Sequence, residues 1–144
     1  MRITTWNINS VRLRIGLALK LLDQSRPDVL CLQETKCPDE QFPFEAFRDI
    51  GYKYIAVNGM KAYNGVALIS RVPFESELAL DWTERSDCRH ISGVFPGDIE
   101  IHNFYVPAGG DEPDIERNDK FDHKLDFISE MTDWFSSNRK KSDK

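Results

Sequence analysis

The sequence predicts an α/β fold, and three observations carry that prediction. An Ile- and Thr-rich stretch at residues 2–8 is followed by a helix-patterned segment and then by the unbroken apolar run Val29-Leu30-Cys31-Leu32. An apolar run of that length after a helix reads as a parallel strand buried on both faces, so the chain opens with a βαβ unit ending near Glu34. Beyond it, short β-rich runs punctuated by Gly, Pro and Asn continue until one long amphipathic pattern closes the sequence.

Taken in order, the first strand covers residues 2–8, with Trp6-Asn7-Ile8-Asn9 at its end. Ser10 is placed to cap a helix reaching Leu22, with Val11, Ile15, Ala18 and Leu22 on one apolar face, and Pro27 prevents its continuation. The second strand ends in the polar run Gln33-Glu34-Thr35-Lys36. A short helix over 43–50 starts at Pro43 and stops at Gly51. Strands over 52–57 and 66–70 form a hairpin through a loop containing Asn58-Gly59 and Asn64-Gly65. Further strands are expected at 77–81, 91–95 and 99–106, the last two linked by the turn Pro96-Gly97-Asp98. A glycine-rich and acidic loop, 107–114, leads to a helix over 119–135 with Phe121, Leu125, Ile128 and Phe135 in register. The polar residues 136–144 are expected to fray.

The chain has 144 residues, 40% hydrophobic and 30% charged, which bounds it to one ordinary globular domain over residues 1–144. No apolar run is long enough to span a bilayer, and the N-terminus has no signal-peptide core, so neither a membrane partner nor export is expected. Cys31, Cys37 and Cys88 are odd in number and lack metal-finger spacing, which points to a reducing, cytoplasmic setting. A net charge of −5 gives no global attraction for nucleic acid; a local basic patch or a metal ion could still bind phosphate.

Two constellations can carry chemistry. The C-terminal ends of parallel strands lie on one edge of a sheet, so Asn7 and Asn9 meet Glu34 there, where open α/β folds place their sites. A carboxylate beside an amide oxygen suits Mg²⁺ with several retained waters. The competing reading makes Glu34 a solvated strand end and the asparagines helix caps. The second constellation is His102-Asn103-Phe104-Tyr105-Val106-Pro107, where a tyrosine at a strand end precedes glycines that let backbone approach a ligand. Tyr105 is then either a hydrogen-bond donor to phosphate or a core residue. Lys36, Arg71 and Arg89 each flank an expected strand and are candidate phosphate contacts, with solvated surface charge as the alternative.

Together, Trp6-Asn7-Ile8-Asn9-Ser10-Val11-Arg12, Pro27 to Lys36, Asn64-Gly65-Val66-Ala67-Leu68 and Asn103-Phe104-Tyr105-Val106-Pro107 resemble the exonuclease III family of AP endonucleases, within the endonuclease/exonuclease/phosphatase superfamily. The resemblance covers nearly the whole chain and favours the DNA-repair branch. It implies a DNase I-like two-sheet sandwich flanked by helices, and Mg²⁺- or Mn²⁺-dependent hydrolysis of DNA phosphodiesters. Family members cut beside abasic sites and remove nucleotides from 3′ ends, so the implied partner is duplex DNA with abasic or 3′-damaged sites. By the same resemblance Glu34 and Asn7 would hold the metal and Tyr105 would act at the scissile phosphate. Asn9, Lys36, Asn64, Arg71 and Arg89 would bind substrate. Ala108 departs from the polar residue many relatives carry after the Tyr-x-Pro.

Family members are nearly twice as long, and their second half supplies an Asp-x-Asn and a Ser-Asp-His motif. No Asp in this chain is followed by Asn two positions on, and the single Asp-His pair, Asp122-His123, follows Phe121 inside the last helix. His90, His102 and His123 are therefore read as structural or exposed. If the expected strands form one sheet with helices on one face, its other apolar face needs covering. The chain is thus expected to be the first half of a longer enzyme, weakly active or inactive alone, completed by further sequence or a partner chain. The alternatives are a non-catalytic half-domain and another phosphodiesterase of the superfamily.

Overall fold

The computed structural model describes residues 1–143. Its elements are β1 (Ile3–Asn7), α1 (Ile15–Ser25), β2 (Val29–Gln33), α2 (Phe44–Arg48), β3 (Tyr54–Asn58), β4 (Val66–Ser70), β5 (Ser76–Leu78), β6 (His90–Phe95), β7 (Ile99–Phe104) and α3 (Asp119–Asn138). The first sheet has the order β1-β2-β4-β3, with β1 and β2 parallel and the other pairs antiparallel. β5, β6 and β7 form a second, antiparallel sheet.

Two sheets correct the expectation of one. β6 packs over β4 and β3, and β7 over β2 and β4, so the face expected to stand open is covered from within the chain. Val29, Cys31, Ala56, Val66 and Leu68 meet Ile91, Phe95 and Ile101 in that interface. Short alternating strands report that one face is buried, but not which sheet they join, and this is why the pattern misled. The opposite face of the first sheet takes α1 and α2 through Leu30, Leu32, Ala67 and Ile69 against Ala18, Leu22 and Phe47.

α1 begins five residues after Ser10, which does not cap it. Asn9 and Ser10 both have positive φ (47° and 85°), and the backbone pairs onward with the β2 end, Ser10 N donating to Glu34 O at 2.8 Å and Val11 N to Thr35 O at 3.0 Å. Those bonds tie Ser10 and Val11 to the second strand's end, and residues 11–14 make a turn before the helix starts. Val11, Ala18 and Leu22 are buried as expected.

α3 is capped by Asn118, whose side chain accepts from Lys120 N at 3.1 Å. Its register differs from the predicted one: Leu125 and Ile128 are 43% and 37% exposed, whereas His123 and Phe127 are buried. The helix carries enough apolar residues for two faces, and Trp82 with Phe104 of the second sheet selects the one through Phe127, Trp134 and Phe135. Among the described residues no helix is long and apolar enough to cross a membrane.

Candidate active site

The parallel register pairs Asn7 with Gln33, so the next residue, Glu34, emerges beside Asn7 at the carboxyl edge of the first sheet. Asn7 Nδ2 donates to Glu34 Oε1 at 2.7 Å. Tyr105, the residue after β7, reaches the same oxygen from the second sheet, its hydroxyl donating at 2.8 Å. Lys36 Nζ lies 3.0 Å from Glu34 Oε2 and donates to Asn9 Oδ1 at 2.6 Å. The Asn7 hydrogen bond, helped by Tyr105 and Lys36, holds the Glu34 carboxyl below its ordinary value against the opposing effect of burial. Tyr105 moves the other way: burial, then the neighbouring Glu34 charge, push its phenol up to about 12, so it stays a protonated donor at neutral pH.

The loops around this cluster are built to strained dihedrals. Glu34, Lys36 and Asn64 have φ of 53°, 48° and 38°, conformations that L residues keep only when their surroundings enforce them. The enforcement is backbone pairing: Thr35 N donates to Gly65 O at 3.1 Å and Lys36 N to Asn64 O at 2.9 Å. Gly65 has φ +90°, and a Cβ there would stand 2.2 Å from Thr35 Oγ1. The Asn-Gly step thus lets the β3–β4 hairpin press against the Glu34 loop.

Of the predicted site residues, the structure gathers Asn7, Asn9, Glu34, Lys36 and Tyr105. Arg71 is elsewhere: β4 runs antiparallel to β2, so Arg71 lies at the opposite edge and pairs with Asp28 at 2.6 Å. Asn64 is buried and donates to Asp87 O at 2.8 Å. Arg89 is 9% exposed, pairs with Asp87, and stacks its guanidinium 4.9 Å from the Tyr105 ring centroid. Three residues that sequence reasoning gave no role complete the surroundings. Asp87 holds Arg89. Gln33 Nε2 donates to Asn103 Oδ1 at 2.6 Å, and Asn103 Nδ2 donates to Leu32 O and Ala67 O at 2.9 and 3.0 Å, fastening one sheet to the other. Their signal lay in the motifs themselves, since Gln33 precedes Glu34 and Asn103 stands two before Tyr105.

The histidines lie apart from the cluster of Glu34, Asn7 and Tyr105. His90 and His102 stack at 5.1 Å between ring centroids, and His123 Nε2 lies 3.1 Å from Thr83 Oγ1. Among the described residues no group of three or more His, Cys, Asp or Glu converges. The donor set is instead one ionised carboxylate with an adjacent amide whose Oδ1 accepts nothing among the described residues. Such a set does not make a closed zinc-type cage, and it fits a hard ion that keeps several waters, as Mg²⁺ and Mn²⁺ do.

A two-sheet α/β sandwich that brings a carboxylate and an amide from one sheet against a phenol from the other defines the class of this protein. Residues 4–143 match the model of the Endonuclease/Exonuclease/phosphatase family, and the chain belongs to that family. It is 27% identical over 151 residues to exodeoxyribonuclease III of Haemophilus influenzae, covering 99% of this chain and 54% of that protein. An AP endonuclease from Archaeoglobus fulgidus has a similar structure, with a TM-score of 0.86 at 30% identity over 97% of this chain and 52% of its own. The 3′ phosphatase NExo from Neisseria, solved bound to a product DNA hairpin, gives 0.81 at 31% identity over 92% and 50%. The fold is therefore the DNase I-like sandwich that the resemblance implied, and the chain spans about half the length of these relatives.

Proposed function

We propose that this chain carries part of a divalent-metal-dependent DNA phosphodiesterase of the exonuclease III and AP endonuclease type, acting on duplex DNA with abasic or 3′-damaged sites. The single observation that carries the reading is the convergence of Asn7, Tyr105 and Lys36 on the Glu34 carboxylate. Glu34 and Asn7 Oδ1 would hold Mg²⁺ or Mn²⁺, which when bound neutralises phosphate charge and lowers the pKa of an attacking water. Asn7 Nδ2 orients the carboxylate. The Tyr105 hydroxyl, kept protonated, would turn its single proton from Glu34 to a phosphate oxygen on which charge develops. Lys36 adds a positive charge beside the same position, and Asn9 fixes that ammonium.

Further strands complete the fold in this reading, supplied by additional sequence or a partner chain. Its support is the open side of the sandwich: β1 and β7 are edge strands on the same side, and Ile3 on β1 is 49% exposed. A reading as a non-catalytic half-domain rests on the same open edges. The test is incision of a duplex oligonucleotide bearing one abasic site, in Mg²⁺ and in EDTA, with the wild type and Glu34→Ala, each assayed alone and with the completing strands supplied. Incision lost in EDTA and in the variant is expected. Incision that survives either change defeats the metal-dependent reading. Cleavage of a phosphoinositide in place of DNA assigns the chain to another branch of the family.

A further inference from the structure

We propose that Arg89, locked by Asp87, is a positioning residue for Tyr105, acting in the reaction only by holding that phenol on Glu34. This deepens the phosphodiesterase reading and rests on it. In sequence Arg89 looks like a free cation at a strand start, suited to grip phosphate. The geometry points to a different duty. Tyr105 is the first residue beyond β7, held to β6 by one backbone bond, a step past the His90–Phe104 pair. Arg89 touches it at three points, two of them through the guanidinium. Its carbonyl accepts from Tyr105 N at 2.8 Å, its Nη1 donates to Tyr105 O at 3.1 Å, and its guanidinium lies against the phenol ring at 4.9 Å. A guanidinium over an aromatic face is attracted by the ring's negative π cloud, most strongly when both are shielded from water.

The charge has its own counter-ion. Arg89 Nε pairs with the Asp87 carboxylate, and both side chains are largely buried, at 9% and 14% exposed. Asp87 is itself held, because its carbonyl accepts from the buried Asn64 at 2.8 Å. The segment that carries Asp87 is anchored upstream by Trp82, which is 5% exposed and packed among His90, Phe104, Phe127 and Trp134. A phosphate-gripping arginine needs a side chain free to turn toward solvent. This one has a carboxylate, a carbonyl and a ring around it, and its planar fork suits that three-way contact where a lysine would not.

The experiment compares Arg89→Met, Arg89→Lys, Tyr105→Phe and the double variant Arg89→Met/Tyr105→Phe. On the abasic duplex in Mg²⁺, Arg89→Met is expected to lower kcat by at least about tenfold with KM little changed. Arg89→Lys is expected to recover little of that loss. In the Tyr105→Phe background Arg89→Met is expected to cost less than about twofold, because the group it serves is already gone. A raised KM with a shallower salt dependence, or an equal loss in both backgrounds, overturns the proposal in favour of a direct phosphate contact. A second readout needs no activity: 19F spectra of protein carrying 3-fluorotyrosine, with the Tyr105 line assigned by Tyr105→Phe. Arg89→Met should move that line while those of Tyr52 and Tyr54 stay in place, and an unmoved Tyr105 line sinks the proposal. Absence of cleavage by the wild type even with the completing strands supplied refutes the phosphodiesterase reading instead, and the 19F line then decides the clamp by itself.

Discussion

Acidification is expected to weaken the fold well before most carboxylates titrate, through His90. Its side chain is 0% exposed and sits in a polar chain through the second sheet. Leu80 N donates to Nδ1 at 3.1 Å, which makes Nδ1 an acceptor and places the ring proton on Nε2. Nε2 lies 2.9 Å from His102 Nδ1, and His102 Nε2 lies 3.2 Å from Glu100 Oε1, poorly aligned for a hydrogen bond. Arg139, the residue after α3, closes the chain, its Nη2 donating to Glu100 at 2.6 Å. Burial, then the neighbouring His102, push His90 from 6.5 down to about 3, even though Glu100 pulls the other way. Between those values only the unfolded chain takes up this proton, so stability rises with pH across the window and is lost as pH falls below 6.5. From pH 7 to pH 5 one such site costs about 2 kcal/mol. Glu100, held down to about 2 chiefly by Arg139, stays ionised there, and its contribution fades only at lower pH. His102 and His123, also shifted down by burial, add to the loss in the same direction. Urea unfolding at pH 7 and pH 5 measures the drop, and His90→Phe isolates this site: the variant is less stable at neutral pH but its pH slope flattens by about 2 kcal/mol over the window. Equal slopes in the two proteins would refute the reasoning.

Asn103→Leu takes the amide donor from two buried carbonyls and leaves Gln33 held by its bond to Thr5, so it is expected to cost about 2–4 kcal/mol in urea unfolding; a loss below about 1 kcal/mol would show that the bridge between sheets is dispensable. Gly65→Ala forces a Cβ against Thr35 at a φ of +90° and should lower stability by about 2 kcal/mol or more, read by thermal unfolding; an unchanged midpoint would contradict the close approach. Burial pushes the Cys31 thiol up to about 12, so the native protein at about pH 8 should leave it unlabelled by a disulfide reagent until it unfolds. Prompt native-state labelling of Cys31, located by mass spectrometry, would count against that burial.

Much of the site was legible because it depends on strand direction. Parallel strands share a carboxyl edge, so Asn7 and Glu34 could be placed together from the βαβ order alone. Arg71 shows the limit of the same argument. It follows a strand as Glu34 does, but β4 is antiparallel to β2, and the run Val66–Ser70 contains nothing that states its direction. Tyr105 was legible as a strand-end residue, while its meeting with Glu34 needed the second sheet to fold over the first. Arg89 could not be read as buried, because its burial depends on Asp87 and on the Trp82 segment, whose Thr83, Glu84, Ser86 and Cys88 take positive φ values that only tertiary packing selects. The rotated face of α3 has the same origin, since a helix with two apolar stripes is oriented by what it meets.

A site drawn from two sheets exists only while the sheets hold one alignment, and β7 couples those requirements. Successive side chains of a strand alternate between faces, so Ile101, Asn103 and Tyr105 all turn toward the first sheet. Ile101 is 7% exposed and belongs to the apolar interface. Asn103 crosses that interface to the carbonyls of Leu32 and Ala67 and to Gln33, the residue before Glu34. Tyr105 then reaches Glu34 itself. A slide of β7 by one residue would turn all three away together, exchanging a buried amide and a phenol for Phe104 and Val106. The polar bridge at Asn103 penalises that slip more sharply than apolar packing could, because an unmade buried hydrogen bond costs far more than a displaced methyl contact. Fold specificity and chemistry are therefore set by the same three alternating positions.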